Sequence, residues 1–301
     1  MAKSKTTKKS LKTTIKKNNN GELNTIKWTL SAFIPMLVAT IYVYTTAMTG
    51  HHLALVRENI TEVKFENVNC SEDYQKHEVF PGCTPINRCG RSVTDGLVNE
   101  KDALTLQNLL LKGMKHGGGS GGASILDLHT GALSMGTQFV NLYNYADKEA
   151  LGEIFTEADM KVYSSVKERI KLAISQAYGI QPEVLHLTSP TFFSQMTSKI
   201  AQTQHDEYWH GHIDKIQYGS FDYTSLLYLS TYEQDFVGGR FIFDSDKASI
   251  EPKLGRVSFF TSGSENPHHV EKVNGGVRLA LTVAFTCDPK KAIKDPKVIV
   301  K

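Results

Sequence analysis

Several features that mark common protein classes are missing from this chain of 301 residues. Its four cysteines include no CxxC pair, the spacing typical of structural zinc sites. The glycine-rich stretch at residues 117–122 is not completed by Gly-Lys-Ser/Thr, which excludes a P-loop. The same stretch has the GxGxxG spacing of dinucleotide-binding proteins, but it follows a predicted helix instead of a strand. We therefore expect a flexible surface loop there.

An excess of positive charge is also missing outside the N-terminal tail. Residues 1–27 contain eight lysines, no arginine and one acidic residue, Glu22. The whole chain has 34 basic and 31 acidic side chains, so 26 basic and 30 acidic ones remain for the rest. Because phosphate binding needs a basic face on the folded domain, nucleic acid is not expected as a partner.

One long uncharged run follows the basic tail. Residues 28–50 contain no charged side chain, and a helix of this length spans about 30 Å of hydrocarbon. The preceding lysines predict that residues 1–27 are cytoplasmic. We interpret residues 28–50 as the transmembrane signal anchor of a single-pass type II protein, and a cleaved signal peptide is the alternative. The rest of the chain is then luminal, in the endoplasmic reticulum or later in the secretory pathway.

Residues 51–92 have the features of a luminal stem. Two N-glycosylation sequons begin at Asn59 and Asn69. Pro81-Gly82 indicates irregular structure, so we expect a loosely packed segment. A folded domain is predicted at residues 93–290 and a C-terminal tail at residues 291–301.

All four cysteines lie after the predicted membrane span, where disulfides persist. Four cysteines allow three pairings, and the sequence does not choose among them. The cysteines are Cys70, Cys83, Cys89 and Cys287.

Two helices are predicted before the chain changes character. The first runs from Asn99, which can act as N-cap, to about Lys115. The second covers about residues 157–178, where Thr156 and Asp159 resemble a capping box. From about Glu183 onwards, short β-like runs alternate with Gly, Asn, Asp and Pro. This pattern favours an all-β sandwich or barrel with the helices packed outside it.

Two histidines and an aspartate lie in the β region, in the stretch HGHID at residues 210–214. In a strand, His212 and Asp214 would project to one face together with His210. Two histidines and one carboxylate form the facial triad of non-haem Fe(II) oxygenases, so a third ligand must come from elsewhere. The candidates are His205, His210, His268 and His269.

The C-terminal stretch HHVEKVNGGVRLALTVAF contains the pattern His268-x-Val270-x-x-Val273-x-x-Gly276-x-Arg278. Together with the upstream HID and the runs TSLLYLS, GGRFIF and GRVSFF, it resembles the 2-oxoglutarate- and Fe(II)-dependent dioxygenases of the prolyl 4-hydroxylase type. The resemblance covers roughly residues 190–288. It implies a mainly β fold, a double-stranded β-helix (jelly-roll, cupin-like) core with flanking helices, behind the single membrane helix.

The resemblance also implies an iron site. His212, Asp214 and His268 match the three iron ligands of the family. His269 would match only if Arg278 were counted nine positions after the histidine instead of ten, which puts the valines and the glycine out of register.

A cosubstrate site is implied as well. Arg278 matches the residue that pairs with the distal carboxylate of 2-oxoglutarate, and a guanidinium can hold a carboxylate through two parallel hydrogen bonds. Tyr228 matches a tyrosine that hydrogen-bonds the same group. Alternation along the last strand places Thr282 on the face of Arg278 as a further donor, while Leu279 and Leu281 face away.

The implied reaction converts 2-oxoglutarate and O2 to succinate and CO2 and hydroxylates a luminal substrate. We expect a protein or peptide side chain, proline by analogy, and ascorbate as an aid to the Fe(II) state. Phe221 and Ala284 stand where many relatives have arginine and tryptophan, so the pocket is expected to differ from theirs. The alternatives are a catalytically inactive β-helix binding module and a zinc-stabilised interaction domain.

Overall fold

The computed structural model describes residues 33–41, 51–145 and 154–296. The chain divides into two units, residues 1–50 and residues 51–301, and residues 33–41 of the first unit are helical. None of the helices in these ranges combines the length and apolar character that crossing a membrane requires. The predicted cytoplasmic tail lies outside the described residues, and so does most of the predicted span at 28–50.

Helices and short strands alternate in the described part of the second unit. The helices are α1 (Glu100–Met114), α2 (Leu142–Tyr145), α3 (Glu157–Tyr178) and α4 (Asp214–Tyr218). The strands are β1 (His52–Ala54), β2 (Lys64–Val68), β3 (Cys89–Thr94), β4 (Gly118–Gly119), β5 (Ala123–Leu126), β6 (Ala132–Gly136), β7 (Gln138–Asn141), β8 (His186–Thr197), β9 (Tyr223–Tyr228), β10 (Phe236–Gly238), β11 (Phe241–Phe243), β12 (Ala248–Ile250), β13 (Val257–Thr261), β14 (His268–Val270) and β15 (Val273–Thr286).

The two predicted helices are confirmed as α1 and α3. The side chain of Asn99 accepts a hydrogen bond from the backbone N–H of Asp102, and the Thr156 hydroxyl accepts one from Asp159. These caps satisfy N–H groups that have no partner within the helix. The α3 helix ends at Gly179, whose φ of 72° lies in the left-handed region that favours glycine.

Two sheets form the body of the described domain, which confirms the mainly β prediction. Eleven strands make up the larger sheet, whose main order is β2-β3-β13-β9-β15-β8-β5-β6-β4, with β10 beside β15 and β7 beside β6. The smaller sheet has the order β1-β12-β11-β14. Strand β15 runs antiparallel to both β9 and β8, so it lies within the larger sheet and not at its edge.

Each face of β15 contributes to a different apolar core. Leu279, Leu281 and Val283 pack with residues of α1 and α3 in a helix-side cluster. Ala280 packs instead with Phe241 of the smaller sheet in an inter-sheet cluster. A fully buried aliphatic or aromatic side chain contributes about 1.5–3 kcal/mol, so both faces stabilise the strand. The predicted alternation along this strand is confirmed.

Residues 51–92 differ from the loosely packed stem that the sequence analysis expects. Strand β1 pairs in parallel with β12 of the smaller sheet. Strands β2 and β3 extend the larger sheet through β13. The pattern of the short edge strand β2, KFENV, is largely polar. It forms a strand by pairing with β3, a context that its own sequence pattern does not reveal.

Both disulfides tie this N-terminal segment to the sheets. One joins Cys70 to Cys89, the first residue of β3, over a separation of 19 residues. The other joins Cys83 to Cys287, directly after β15, over a separation of 204 residues. Of the three pairings that the sequence leaves open, the structure adopts this one.

The glycine-rich stretch is packed, in contrast to the expected flexible loop. Gly118 and Gly119 form β4, which pairs with β6. A Cβ atom added at Gly121 would lie 2.2 Å from the carboxylate of Asp206. The glycines therefore permit a close approach between backbone and neighbouring elements, as glycine does where a side chain would collide.

Candidate metal centre and cosubstrate site

His212 and His268 are held together by their backbones. The N–H of His212 donates to the carbonyl of His268 over 2.9 Å, and the N–H of His268 donates to the carbonyl of His212 over 3.0 Å. Residues 210–214 do not form the single strand that the sequence analysis expects, because Asp214 is already the first residue of α4. The short bridge to β14 and the helix start together bring the three side chains to one place.

The three side chains converge on a common point. The Nε2 atom of His212 lies 3.6 Å from Oδ1 of Asp214, and Nε2 of His268 lies 3.8 Å from Oδ2. One ligand atom from each residue falls within 4.8 Å of the others. Two imidazoles and one carboxylate on one side of an ion leave positions open opposite them.

Hydrogen bonds at Nδ1 orient both imidazoles. The Nδ1 atom of His268 lies 2.9 Å from the carbonyl oxygen of Asn266, and that of His212 lies 3.2 Å from the carbonyl oxygen of His210. A carbonyl only accepts, so Nδ1 carries the proton in each ring. The lone pair of each Nε2 then points towards Asp214, as a metal ligand requires.

Burial keeps His268 neutral. Its ring is 4% exposed and packs between Phe241 and Phe260, whose centroids both lie 4.9 Å away. Loss of hydration lowers the pKa of His268 to about 4, although the nearby Asp214 carboxylate acts in the opposite direction. A neutral imidazole at physiological pH is the form that binds a metal ion.

The other candidate histidines lie apart from this group. His210 is exposed and contacts Glu207 at 2.8 Å, while His205 packs edge-on against Phe139. His269 points to Asp244, with Nδ1 2.8 Å from the carboxylate.

One further cluster of possible ligands occurs among the described residues, at His51, Glu66 and Asp246. Its carboxylates already contact a cation, because Nη1 of Arg91 lies 3.3 Å from Glu66 and 2.8 Å from Asp246. The cluster is therefore an ion-pair network.

Arg278 is a buried cation with an incomplete set of partners. The side chain is 1% exposed, and its Nε donates to the carbonyl of Gly239 over 2.8 Å. Nη1 lies 3.6 Å from the sulfur of Met196, and Nη2 has no hydrogen-bond partner among the described residues. Burial lowers the pKa of Arg278, although Tyr228 and Tyr208 oppose that shift. An unpaired buried charge is costly, so a bound carboxylate is a fitting partner for Nη2.

Tyr228 and Thr282 lie on the same side of the larger sheet as Arg278. The Tyr228 ring lies 5.6 Å from the guanidinium carbon, and its hydroxyl lies 3.0 Å from that of Ser258. Thr282 is half-buried and pairs in register with Leu226 of β9. The structure therefore places all three predicted cosubstrate residues along one inter-sheet face.

Two residues near Arg278 were not identified from the sequence. Met196 contacts the guanidinium, and Tyr208 packs against the inter-sheet cluster. The Tyr208 hydroxyl accepts a hydrogen bond from the backbone N–H of Val273 over 2.9 Å, which anchors the start of β15. No sequence motif marks either residue, because Met196 meets Arg278 through the pairing of β8 with β15 and Tyr208 lies in an irregular segment.

The residues present fit an Fe(II) ion and 2-oxoglutarate. Two neutral imidazoles and a carboxylate suit the ion. The unpartnered nitrogen of Arg278, in the same inter-sheet space, suits the far carboxylate of a dicarboxylic acid.

Comparison with known proteins gives the same chemistry. Residues 198–286 match the family model of the 2OG-Fe(II) oxygenase superfamily. The chain is 54% identical over 243 residues to 2-oxoglutarate and iron-dependent oxygenase domain-containing protein 3 of Rattus norvegicus, which covers 80% of this chain and 76% of the relative. It is 25% identical over 250 residues to prolyl 3-hydroxylase 1 of Gallus gallus, covering 74% and 32% of the two chains.

Among solved structures, a prolyl hydroxylase from Trichoplax adhaerens in complex with a peptide fragment matches 67% of this chain and 84% of its own, with 15% identity and a TM-score of 0.45. The sequence identity to the Rattus norvegicus protein extends over most of both chains. Enzymes of this superfamily use Fe(II), 2-oxoglutarate and O2. This chain therefore belongs to the family of 2-oxoglutarate and iron-dependent oxygenase domain-containing protein 3 and is a 2-oxoglutarate-dependent dioxygenase.

Proposed function

We propose that this protein hydroxylates a side chain of a protein substrate, with His212, Asp214 and His268 as its iron ligands. The observation that carries the proposal is the convergence of these three side chains beside the inter-sheet cluster, where His268 stacks on Phe241 and the guanidinium of Arg278, with its unpartnered Nη2, lies over Tyr228. Bound Fe(II) would supply the activation of O2 that couples oxidation of 2-oxoglutarate to hydroxylation.

The protein's own residues would bind and orient the cosubstrate. Arg278 would hold the far carboxylate by charge-assisted hydrogen bonds, with Tyr228 and Thr282 beside it. Phe241 and Phe260 are buried around His268 and would exclude water from this part of the site. Excluding water strengthens each electrostatic contact with the bound dicarboxylate.

A cleft beside His212 supports a peptide as the substrate. It has a volume of about 410 Å³ and is lined by Gly211, His212, Ile213, Ile216, Gln217, Asp244 and Pro267. Its lining is mainly apolar, and the Ile216 side chain is 67% exposed. The side chain of His212 is 33% exposed and lines this cleft, so a residue entering here would lie beside one of the three proposed ligands. Proline is the first side chain to test, because one relative is named prolyl 3-hydroxylase 1.

We also propose that the oxygenase domain, with the double-stranded β-helix as its core, is luminal and anchored by residues 28–50. The two disulfides support an oxidising compartment. Asn59 and Asn69 are both exposed, as glycosylation requires. Ascorbate would maintain the Fe(II) state, as the sequence analysis expects.

Purified full-length protein tests the iron assignment. With Fe(II), 2-oxoglutarate, ascorbate and O2, it should release succinate, and His212→Ala should reduce that release to background because one of three ligands is lost. The exposed His210→Ala variant, two residues away, should keep its activity. Unchanged succinate release in His212→Ala would contradict the assignment. Absence of turnover in the iron-loaded natural protein would favour the inactive binding module.

A further inference from the structure

The carboxylate of Asp214 has two unequal oxygen atoms. Oδ2 accepts a hydrogen bond from the Thr224 hydroxyl over 2.6 Å. Oδ1 lies 3.6 Å from Nε2 of His212, whereas Oδ2, the acceptor of the Thr224 bond, lies 3.8 Å from Nε2 of His268. Asp214 is 3% exposed and Thr224 is 2% exposed, so water does not replace this bond. A short bond to a charged acceptor is among the stronger hydrogen bonds in proteins.

The hydrogen-bond direction at Thr224 follows from chemistry. An ionised carboxylate only accepts, so the single hydroxyl proton of Thr224 is committed to Asp214. The Thr224 oxygen also lies 2.8 Å from the hydroxyl oxygen of Ser262, and Ser262 must therefore be the donor. The three groups form a chain in which each bond polarises the next.

Two backbone hydrogen bonds hold Ser262 in place near Asp214. Its carbonyl accepts from the backbone N–H of Lys215 over 2.8 Å, and its N–H donates to the carbonyl of Asp222 over 3.1 Å. The side chains of Lys215 and Asp222 form a buried ion pair at 2.8 Å. The support around Asp214 is thus built from buried bonds, which leave the carboxylate little freedom to rotate.

We propose that Thr224 is a positioning residue that makes Asp214 bind iron through Oδ1 alone. The inference rests on the proposed function, because it requires Asp214 to be an iron ligand. A carboxylate can bind a metal through one oxygen or two. With Oδ2 occupied by the Thr224 hydroxyl, Asp214 would offer a metal ion a single oxygen, and more of the ion's positions would stay free for 2-oxoglutarate and O2.

The chain offers a matched set of variants. Thr224→Val keeps the shape of the side chain but removes the donor, and Thr224→Ser restores the donor. Ser225→Ala is the control, because the neighbouring Ser225 hydroxyl is also buried on β9 but donates to the carbonyl of Val283 over 2.7 Å. It therefore removes a comparable hydrogen bond from the opposite face of the same strand.

Calorimetric titration of full-length protein, first with Mn(II) and then with 2-oxoglutarate, tests the inference without turnover. We expect Thr224→Val to weaken 2-oxoglutarate binding to the Mn(II)-loaded protein by about 10–100-fold, the range by which loss of an outer partner lowers metal affinity or activity. Thr224→Ser and Ser225→Ala should bind 2-oxoglutarate like the natural protein. If Thr224→Val binds 2-oxoglutarate as tightly as the natural protein does, the inference is overturned. It is also overturned if Thr224→Val has a lower affinity for Mn(II) but an unchanged affinity for 2-oxoglutarate.

Two further outcomes separate the inference from the proposed function. If the natural protein binds Mn(II) but not 2-oxoglutarate, the proposed function fails before Thr224 is considered. If Thr224→Val does not fold, Ser262→Ala replaces it, since Ser262 orients the Thr224 hydroxyl without touching Asp214 through its side chain. A weaker affinity for 2-oxoglutarate in Ser262→Ala supports the inference, and an unchanged affinity contradicts it.

Discussion

Arg278 limits what can bind between the sheets more than any other residue described above. It brings a full positive charge into an apolar space, and its hydrogen-bond partners among the described residues are a backbone carbonyl and a thioether. Neither partner neutralises the charge. A small anion with an extended shape would do so, which is the physical reason to associate the inter-sheet space with a dicarboxylate.

We predict that Arg278→Met raises the KM for 2-oxoglutarate by about 100-fold, because hydrogen bonds to a charged group contribute about 1.5–3 kcal/mol. Succinate release at varied 2-oxoglutarate concentration measures this effect. Arg240→Met is the control, since Arg240 is half-buried directly before β11 and pairs with Glu271 at 2.8 Å. An unchanged KM in Arg278→Met would remove Arg278 from the cosubstrate site.

Sequence motifs identified the residues of the site that are close in the chain or at fixed spacing. The structure brings His212, Asp214 and His268 together as the motif suggests, and their role as iron ligands stays a prediction. Thr224 and Tyr208 were not predicted. The contacts of Thr224 depend on the register between β9, β13 and β15, and those of Tyr208 depend on the path of an irregular segment. Neither residue carries a local signal.

At the scale of elements, an ion pair fixes the ends of two neighbouring strands. Arg256 precedes β13 and is fully buried, and Asp95 follows β3. The guanidinium donates to both carboxylate oxygens, with Nε 2.7 Å from Oδ1 and Nη2 3.0 Å from Oδ2. Val257, the first residue of β13, pairs with Thr94, the last residue of β3. The ion pair therefore lies directly beyond the last residue pair that joins these two strands.

The Asp95 pair predicts a loss of stability in acid. Burial raises the pKa of Asp95, but hydrogen bonds from Arg256 and the N–H of Ile60 outweigh that effect and lower the pKa below 3.8. The contribution is therefore complete above about pH 4 and is lost as pH falls through the folded-state pKa. Urea unfolding at a series of pH values should show this loss, and Asp95→Asn should show a flatter dependence on pH.

At neutral pH, Asp95→Asn should lower the free energy of unfolding by about 3–5 kcal/mol, because it leaves the Arg256 charge buried without a counter-charge. Glu157→Gln provides a control, since Glu157 forms an exposed pair with Lys161. Solvent screens an exposed pair, so its contribution to stability is small. Equal effects of the two substitutions would contradict the proposed importance of burial.

Elements with local signals were predicted well. The α1 and α3 helices follow from caps and apolar spacing within a few turns of chain. Strand β1 was missed because it pairs with β12 almost 200 residues later, as the contact between His52 and Ser249 shows. Strand β2 was missed because its sequence is largely polar. The glycine-rich stretch was misread for the same reason, since Asp206, which requires Gly121 to lack a side chain, is distant in sequence.

At the scale of the whole molecule, the Cys83–Cys287 disulfide joins the beginning of the domain to its end. It closes a loop of 204 residues, whereas Cys70–Cys89 closes one of 19. Longer loops restrict the unfolded chain more, so the two bonds differ in their effect on stability. Loop entropy gives about 5 kcal/mol for the longer loop and about 3 kcal/mol for the shorter one.

We therefore predict that replacing both Cys83 and Cys287 by serine lowers the unfolding free energy more than replacing Cys70 and Cys89. Chemical denaturation of the two double variants, compared under non-reducing conditions, measures the difference. Each variant retains the other disulfide and so controls for the removal of buried sulfur. The reverse order of stability would mean that strain or residual structure, and not loop length, determines the effect.

The position of β15 has a consequence for how the protein is made. Among the strands that the structure describes, residues 273–286 leave the ribosome last, yet they occupy the middle of the larger sheet between β9 and β8. At about 5–20 residues per second, the ribosome needs several seconds to proceed from β9 to the end of β15. During that time β8 and β9 both lack the strand that later lies between them. The nascent chain therefore has a period of exposure in which chaperones or wrong strand partners compete for these edges.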